Sequence, residues 1–391
     1  MLNRTFGCVR VVWNRTLAAR QARYATERKS TSYAETDRTL TAMKRDPGLA
    51  WLGEVSSVPL QQALRYQHAA FGAFFAGRSR YPRFKSRRGR QSATFTRSAF
   101  RMHGTDLRLA KMSKPLKVVW TWPGTDLATL NPTSVTVARD PAGRWFVTFH
   151  AEAPDPAPLP AADGVGVDVG LRHFAALSTG EKIEHPRHWE RHEKRLRRYQ
   201  RRLARCRKGS ANRAKARRKV ARAHARIADA RRDFLHQRST DLVRSHGVIA
   251  VEDLAVRNMV GNRSLARAIS CSGWAQFRRM LEYKAQRYGR QVVAVDRWYP
   301  SSKTCSSCGF LLAGLSLSTR TWPCPSCGTR HDRDINAAKN ILAAGLAAVA
   351  RNGGDACGAD VSHGEATPVQ SAVNQEPSRA TARILVLQGG E

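Results

Sequence analysis

The stretch GVGVDVG, residues 164–170, decides the fold class of this chain. It is apolar apart from Asp168 near its end, as in a buried strand that carries one carboxylate to the edge of a sheet. Two further runs, GVIAVEDL (247–254) and QVVAVDRWYP (291–300), have the same character, and the first of them reaches Glu252 near its end. Helical patterns separate these strands, so we predict an α/β domain.

A long helix is predicted after the third strand. The segment HDRDINAAKNILAAGLAAVARNGG, residues 331–354, repeats apolar residues at helical spacing and stops at Gly353-Gly354. Asp334 opens this helix. We predict that the inward face carries Ile335, Ala338, Leu342, Leu346 and Val349.

Three acids thus stand at the ends of elements: Asp168, Glu252 and Asp334. Strand C-termini of an α/β sheet meet at one crevice, so we expect the three carboxylates to converge. Each pair would repel by about 4 kcal/mol at close range, and Mg²⁺, which prefers carboxylate oxygens and water, would relieve that repulsion. Two Mg²⁺ ions roughly 4 Å apart can activate water and stabilise a leaving oxygen at phosphorus. The three acids are therefore candidate catalytic and Mg²⁺-binding residues.

Each acid also has a plainer interpretation. Asp168 could simply start a turn, and Glu252 could be a surface residue. Its neighbour Asp253 should point to the opposite face of the strand. Asp334 could be a helix N-cap, with or without a role in metal binding, and Asp332 is the rival ligand.

The most specific motif is Cys305-x₂-Cys308-x₁₅-Cys324-x₂-Cys327. Two CxxC pairs at this separation predict a tetrahedral Zn²⁺ site made of four thiolates. Four ligands leave no open position, so the zinc is expected to be structural. His331 lies near the site but has no motif that supports a catalytic role. The cysteines without a partner pattern are expected to be ordinary thiols: Cys8, Cys206, Cys271 and Cys357.

The charge balance points to polyanionic partners. The chain has 391 residues, with 67 Lys and Arg against 30 Asp and Glu, a formal net charge of +37. Nucleic acid is the usual partner of so basic a protein. Residues 191–240 alone hold 20 Lys and Arg against 3 acids, in a helical composition that breaks at Lys208-Gly209-Ser210. We expect this segment to contact phosphates, although a solvated helix face is the plainer alternative.

The sequence also predicts where the protein works. No apolar run approaches the roughly 20 residues that a bilayer span needs, and the N-terminus lacks a signal-peptide core. We therefore expect a cytoplasmic, nucleoid-associated protein with no membrane partner. Eight cysteines in a reducing compartment argue for metal binding or free thiols over disulfides.

Changes in composition predict several domains. They are a helical lobe over 1–92, a small β domain over 93–153 with a hairpin turning at Asp140-Pro141-Ala142-Gly143, a Pro/Ala-rich linker over 154–162, the α/β domain over 163–348, and a disordered tail over 349–391. The α/β domain would include the basic segment 191–240 and the zinc knuckle, residues 301–330.

Taken in order, GVDVGLRHFAALSTG, IAVEDL, CSSCG, CPSCG and HDRDINAAKNIL resemble the TnpB (OrfB) proteins of bacterial insertion sequences, which are similar to compact type V CRISPR nucleases. The resemblance covers nearly the whole chain. It implies an RNase H-like (RuvC) nuclease domain with an inserted zinc ribbon. The N-terminal helices and the β segment would form a recognition lobe and a β-barrel-like wedge domain.

The same resemblance implies an activity. The protein would be a transposon-encoded, Mg²⁺-dependent endonuclease that cuts double-stranded DNA under the direction of a guide RNA from the element's own end. By motif, Asp168, Glu252 and Asp334 would be the metal ligands, because the family pattern Asp-x-Asn-Ala-Ala selects Asp334 over Asp332. A partner transposase would be linked only genetically.

The N-terminus departs from the pattern of the family. Family members usually begin with a further strand of the pattern K-x-R-(L/I)-Y-P, and without it an edge of the β domain should be exposed, whether the start is misassigned or the copy shortened.

The alternative functions are a nuclease-inactive DNA- or RNA-binding regulator on the same scaffold and a transposase that transfers strands. The three intact acids argue against the regulator, and family resemblance favours cleavage over strand transfer.

Overall fold

The computed structural model describes residues 1–120, 127–152, 156–160, 162–316, 318–354 and 381–388. The chain forms two compact units. The first comprises Met1–Pro154, Arg207–Arg222 and Ser378–Glu391, and the second comprises Asp155–Cys206 and Ala223–Pro377. Within the described ranges, no helix is long and apolar enough to cross a membrane.

Helices form the beginning of the first unit. They are α1 (Leu2–Glu27), α2 (Tyr33–Arg45) and α3 (Ser57–Phe75), with a 3₁₀ helix at Pro47–Glu54. A capping box starts α2, because the Ser32 hydroxyl accepts from the Glu35 N–H and the Glu35 carboxylate accepts from the Ser32 N–H. Apolar residues on one face of α1 and of α3 are buried, among them Val12, Leu60 and Leu64, whereas Tyr24 and Phe75 are exposed.

Antiparallel sheets complete the first unit. Its strands are β1 (Gln91–Thr96), β2 (Phe100–His103), β3 (Asp106–Leu109), β4 (Leu116–Lys117), β5 (Ser134–Arg139), β6 (Trp145–Glu152) and a C-terminal strand (Thr381–Gln388), with a 3₁₀ turn at Arg97–Ala99 and a short helix α4 (Leu127–Leu130). The sheets run β1-β5-β6-C-terminal strand and β2-β3-β4. The predicted hairpin is present, because β5 pairs with β6 and the Gly143 N–H donates to the Asp140 carbonyl. Helices and strands share one core, which includes Phe6, Leu60 and Phe95, so residues 1–92 and 93–153 do not have separate cores.

The C-terminal strand stands where the sequence predicted no regular structure. It pairs with β6 over its whole length, from Thr381 opposite Glu152 to Gln388 opposite Trp145. The prediction of a disordered tail from 349 to 391 therefore differs from the structure over this strand and over 349–354, which end the last helix. The run ILVL explains the strand, since β-branched and apolar residues favour an extended backbone. This strand lies on the β6 edge; residues 355–380 are outside the described part.

A five-stranded mixed sheet forms the centre of the second unit. Its strands are β7 (Val165–Val169), β8 (His173–Leu177), β9 (Lys182–Glu184), β10 (Val248–Glu252) and β11 (Gln291–Val295). Their spatial order is β11-β10-β7-β8-β9. β7, β10 and β11 are mutually parallel, whereas β8 is antiparallel to both of its neighbours. The three apolar runs that the sequence singled out are thus the three mutually parallel strands, with β7 and β10 inside the sheet and β11 at its edge.

Helices connect and cover these strands. They are α5 (His188–Arg205), α6 (Ala211–Ser245), α7 (Val256–Met259), α8 (Ala266–Ser272), α9 (Trp274–Arg287) and α10 (Arg333–Gly354), and a two-stranded ribbon pairs β12 (Thr321–Pro323) with β13 (Arg330–Asp332). The basic segment 191–240 is helical and breaks between α5 and α6, as predicted at Lys208-Gly209-Ser210. Residues 207–222 belong to the first unit, although the sequence analysis placed them within the α/β domain.

The contact between α10 and the sheet depends on small residues. A Cβ at Gly166 of β7 would lie 1.9 Å from the Ala338 carbonyl oxygen, so the helix backbone rests directly on the strand. A Cβ at Gly345 would lie 2.5 Å from the Ala250 Cβ of β10. The predicted inward face is only partly correct, because Ala338 is fully buried but Leu346 is 42% exposed. In the sequence, large apolar residues indicate which face of the helix is inward. In the structure, the helix lies so close to the sheet that small residues occupy the contact.

Gly166→Ala should therefore destabilise the second unit strongly. The new methyl group would meet backbone atoms, which cannot rotate away, so we expect a loss of more than about 3 kcal/mol in the free energy of unfolding. Gly314→Ala is the matched control, because a Cβ there meets nothing within 4 Å and the residue has no positive φ; it should change stability by less than about 0.5 kcal/mol. Urea denaturation measures both, and equal midpoints for the two variants would contradict the packing argument.

Candidate functional site

Two of the three predicted acids lie side by side at the strand ends. Val251 of β10 is paired with Val167 of β7, so the next residues along the two parallel strands are Glu252 and Asp168. Both acids follow buried valines and are themselves partly buried. Because side chains alternate along a strand, residues at the same register position share a face. The sheet therefore carries both carboxylates on one face of its C-terminal edge.

The third acid stands in the first turn of α10, and a neighbouring aspartate caps that helix. One oxygen of Asp332, Oδ1, accepts from the N–H groups of Asp334 and Ile335 at 3.1 Å each. Its other oxygen, Oδ2, lies 2.6 Å from the Lys182 ammonium nitrogen. The N-cap role considered for Asp334 thus belongs to Asp332. The Asp334 carboxylate instead lies 4.0 Å from Nδ1 of His173.

Electrostatics separate these acids into two kinds. Burial raises the pKa of Asp168 well above its usual value, the charges of Glu252 and Asp334 raise it further, and Arg333 opposes them. Burial also raises the pKa of Glu252, against a hydrogen bond from Ser301. Burial alone would raise the pKa of Asp332, but hydrogen bonds from Lys182 and the Ile335 N–H bring it below its usual value. Asp168 and Glu252 are thus the carboxyl groups whose charged form a bound cation would stabilise.

The spacing of the acids limits how they could share cations. Among the described residues, the four cysteines are the only His, Cys, Asp or Glu cluster that could hold a metal ion as placed, with donor atoms all within 4.8 Å of one another, and the three acids do not form such a cluster. A pair of Mg²⁺ ions about 4 Å apart, each bound at about 2.1 Å, accepts ligand oxygens up to about 8 Å apart. The donor set fits hard divalent cations, since it offers carboxylate oxygens from three rigid elements.

The structure gives the neighbouring acids Glu252 and Asp253 different partners, and it shows a partner of Glu252 that sequence reasoning missed. Asp253 turns away, and its pKa is lowered by hydrogen bonds from Arg278 and then Arg297. The Ser301 hydroxyl donates to Oε1 of Glu252 at 2.9 Å. Ser301 belongs to the loop after β11, beside the neighbouring strand, and only the sheet register brings it to Glu252.

Two buried asparagines of α10 hold that same loop. The Asn340 side-chain amide donates to the carbonyls of Ser301 and Thr304, at 2.7 and 2.6 Å. Asn336 donates to Thr304 at 2.8 Å and accepts from the Ser306 N–H at 2.9 Å. These bonds join the helix that begins near Asp334 to the loop that supports Glu252 and enters the knuckle. The signals in the sequence were the Asn of the family pattern Asp-x-Asn-Ala-Ala, which is Asn336, and a second asparagine four residues later.

The predicted zinc knuckle is assembled. The Sγ atoms of Cys305 and Cys327 lie 3.7 Å apart, and those of Cys308 and Cys324 lie 3.6 Å apart. Four sulfurs at 2.3 Å from one zinc ion would be about 3.8 Å from each other, so the cluster has the size of a tetrahedral Zn²⁺ site. Hydrogen bonding with Thr329 lowers the pKa of Cys327 to about 6, which favours the thiolate form.

His331 belongs to the knuckle. Its Nε2 lies 3.0 Å from Sγ of Cys305, and its ring packs on Trp322 with centroids 4.8 Å apart. The histidine is buried, so a catalytic role is not supported by its position. Of the cysteines outside the motif, Cys8 and Cys271 are free thiols, Cys206 donates a hydrogen bond to the Arg202 carbonyl, and Cys357 lies outside the described residues.

Comparisons with known proteins agree with this arrangement of motifs. A family described as "Probable transposase" matches residues 147–263, a "Cas12f1-like, TNB domain" matches residues 274–341, and a "Helix-turn-helix domain" matches residues 1–29. A Streptomyces pristinaespiralis protein named "Putative RNA-guided DNA endonuclease" is 51% identical over 98% of this chain and 94% of its own length. The chain belongs to the TnpB (OrfB) family.

Other comparisons extend this TnpB assignment. An Escherichia coli (strain K12) relative named "Putative RNA-guided DNA endonuclease InsQ" is 32% identical over 89% of each chain. A solved structure described as "Cryo-EM structure of the Cas12f1-sgRNA-target DNA complex" matches with a TM-score of 0.55 and 14% identity. It covers 87% of this chain and 81% of that one, so this TnpB protein shares its mixed α/β fold.

The knuckle of this TnpB protein should hold one zinc ion per chain. We expect Cys305→Ser to lose the metal and to unfold residues 301–330, because metal binding supplies on the order of 10 kcal/mol to folding of such sites. Cys271→Ser, a free thiol outside the cluster, is the matched control and should keep its zinc. Elemental analysis and hydrogen exchange measure both effects. Full zinc content in the Cys305 variant would reject this ligand set.

Proposed function

We propose that this chain is an RNA-guided DNA endonuclease whose cutting depends on Mg²⁺ held by Asp168, Glu252 and Asp334. The observation that carries the proposal is the meeting of two partly buried acids at adjacent strand ends, with a third acid close enough to act on the pKa of Asp168. The names of the full-length relatives support the guided nuclease, and the acids support the metal dependence.

The sheet supports an RNase H-like, or RuvC, assignment for the second unit. Counted along the chain, its strands lie in the order 3-2-1-4-5, with the second strand antiparallel to its neighbours. This is the strand arrangement of RNase H-like folds. Acids on the first and fourth strands, and on a helix that packs across both, then stand where such folds cut phosphodiesters.

The residues of the site would divide the work. Asp168, Glu252 and Asp334 would hold two Mg²⁺ ions, and such ions activate an attacking water and stabilise the leaving oxygen. Ser301 would orient Glu252 through its 2.9 Å hydrogen bond. Lys182 would neutralise Asp332, so that the helix cap does not add a fourth uncompensated charge to the cleft.

Guide RNA and target DNA would be bound largely through charge. The net charge of +37 and the cationic helices α5 and α6 supply many phosphate contacts. Such contacts release counterions, so binding should weaken steeply with salt. In the related Cas12f1 structure the bound partners are an sgRNA and a target DNA. We infer the same two classes of partner here, with the guide derived from the element's own end.

The deciding experiment uses the protein co-expressed with its element-end RNA and a target plasmid. With Mg²⁺ we expect cleavage, and with a chelator none. Asp168→Ala, Glu252→Ala and Asp334→Ala should each reduce the rate by more than about 100-fold, since even supporting residues of metal sites contribute 10- to 100-fold. RNA binding should survive, and cutting that persists in all three variants would reject the site. Joined rather than cut products would favour the strand-transferring transposase.

A matched pair of substitutions separates the ligand from the cap. Asp334→Asn should abolish cutting, because an amide is a poor Mg²⁺ ligand. Asp332→Asn should keep the rate within about tenfold, because asparagine caps helices as well as aspartate does. Initial cleavage rates and thermal stability are the measurements. The reverse order of activities would assign the metal to Asp332.

A further inference from the structure

A tryptophan beside the proposed catalytic edge keeps its side chain almost entirely in solvent. Trp298 follows β11 and is 84% exposed, the largest value among the described large hydrophobic residues. Single exposed apolar residues are common, but an almost fully solvated indole contributes little to packing. The indole is therefore available to contact a ligand.

The turn that carries Trp298 is held in place by its neighbours. The Trp298 N–H donates to Oδ1 of Asp296 at 2.8 Å, and the Tyr299 N–H donates to the Asp296 carbonyl at 3.1 Å. Arg297 bonds to Asp253, which follows the end of β10. The turn is thus closed by its own hydrogen bonds and tied to the residue that follows β10. The indole projects from a fixed support, which limits the entropy lost when a ligand stacks on it.

The sheet register places this turn near the proposed metal ligands. Val295, the last residue of β11, is paired with Glu252. Three residues of chain span at most about 11 Å and adjacent strands lie about 5 Å apart, so the Cα of Trp298 is within roughly 16 Å of that of Glu252. A DNA strand advances about 3.4 Å per nucleotide. Trp298 is therefore within about five nucleotides of a phosphate bound at Glu252.

The surroundings of Trp298 favour a nucleobase over an apolar protein surface. Its neighbours in the turn are charged, Asp296 and Arg297, and Lys303 follows in the same loop. An apolar partner would need a patch of several apolar side chains. An unpaired base needs one aromatic face, and cations nearby accept its phosphates.

We infer that Trp298 stacks on an unpaired base of the DNA strand being cut, and so holds that strand over the catalytic edge. This inference rests on the proposed function and assigns a positioning contact for its substrate. Any base offers a π-face, so the contact would be tolerant of sequence.

Photocross-linking tests the contact without requiring cleavage. The probe is a 12-nucleotide single strand carrying 5-iodouracil, mixed with the full-length Asp168→Ala protein at raised salt to weaken purely ionic binding. We expect the tryptic peptide that contains Trp298 to be a main cross-linked site and to disappear from the adducts in Trp298→Ala. Adducts that leave this peptide unlabelled would overturn the inference.

Cleavage rates provide the second arm. In the guide-loaded protein with intact acids, Trp298→Ala should slow cutting by about 5- to 150-fold, the range expected for loss of one base–aromatic stack. Trp298→Phe should stay within about threefold, because it keeps an aromatic face. Tyr283→Ala, which removes another exposed aromatic of the second unit, is the control and should cut normally.

The two arms separate this inference from the proposed function. If the protein with all its acids does not cut, the proposed function fails, while the cross-link still judges Trp298. If it cuts and Trp298→Ala cuts equally fast, the stacking contact is rejected and the nuclease stands.

Discussion

The close contact of α10 with β7 is the constraint on which the second unit depends. At Gly166 the helix backbone lies so near the strand that no side chain fits between them. Backbone contact of this kind fixes the height of a helix above a sheet more tightly than interlocking side chains, which can change rotamer. The first turn of α10 is thereby held against the C-terminal edge, where Asp334 acts on the pKa of Asp168.

Polar bonds extend this constraint from the helix to the zinc knuckle. Asn336 and Asn340 are buried, and both hold the loop between β11 and the first cysteine pair. The same loop carries Ser301, which donates to Glu252. Buried amides are costly unless they are satisfied, so these bonds select one loop conformation. The knuckle and the acidic cleft are therefore parts of one hydrogen-bonded structure.

Among the described residues of this very basic protein, only some of the acids have a cationic side chain as a partner. Asp253 and Asp332 are neutralised by arginines and a lysine, and both have a lowered pKa. For Asp168 and Glu252, in contrast, burial raises the pKa. The chain has 67 Lys and Arg, yet burial limits the access of these cationic side chains to Asp168 and Glu252. The cleft that holds the two carboxylates therefore suits a divalent cation rather than a lysine.

Some features were decided by local chemistry and were readable without coordinates. The two CxxC pairs predicted their own cluster, because ligand type and spacing suffice for a tetrahedral site. Apolar runs predicted the three parallel strands, and the helix break at Lys208-Gly209-Ser210 followed from turn propensity. The order of the motifs also predicted the family, which the 51% identical relative confirms.

Other features depended on contacts between distant residues. Sequence spacing cannot show that Ser301 reaches Glu252. It also cannot show that Asp332 rather than Asp334 caps α10. Nor does it show that Leu346 is exposed while Gly345 meets the sheet. Each is set by how one element packs on another, which local patterns of hydrophobicity do not encode. The strand at Thr381–Gln388 is a further case, since its partner β6 lies more than two hundred residues earlier. Local sequence determined which elements form, and tertiary packing decided which side chains meet.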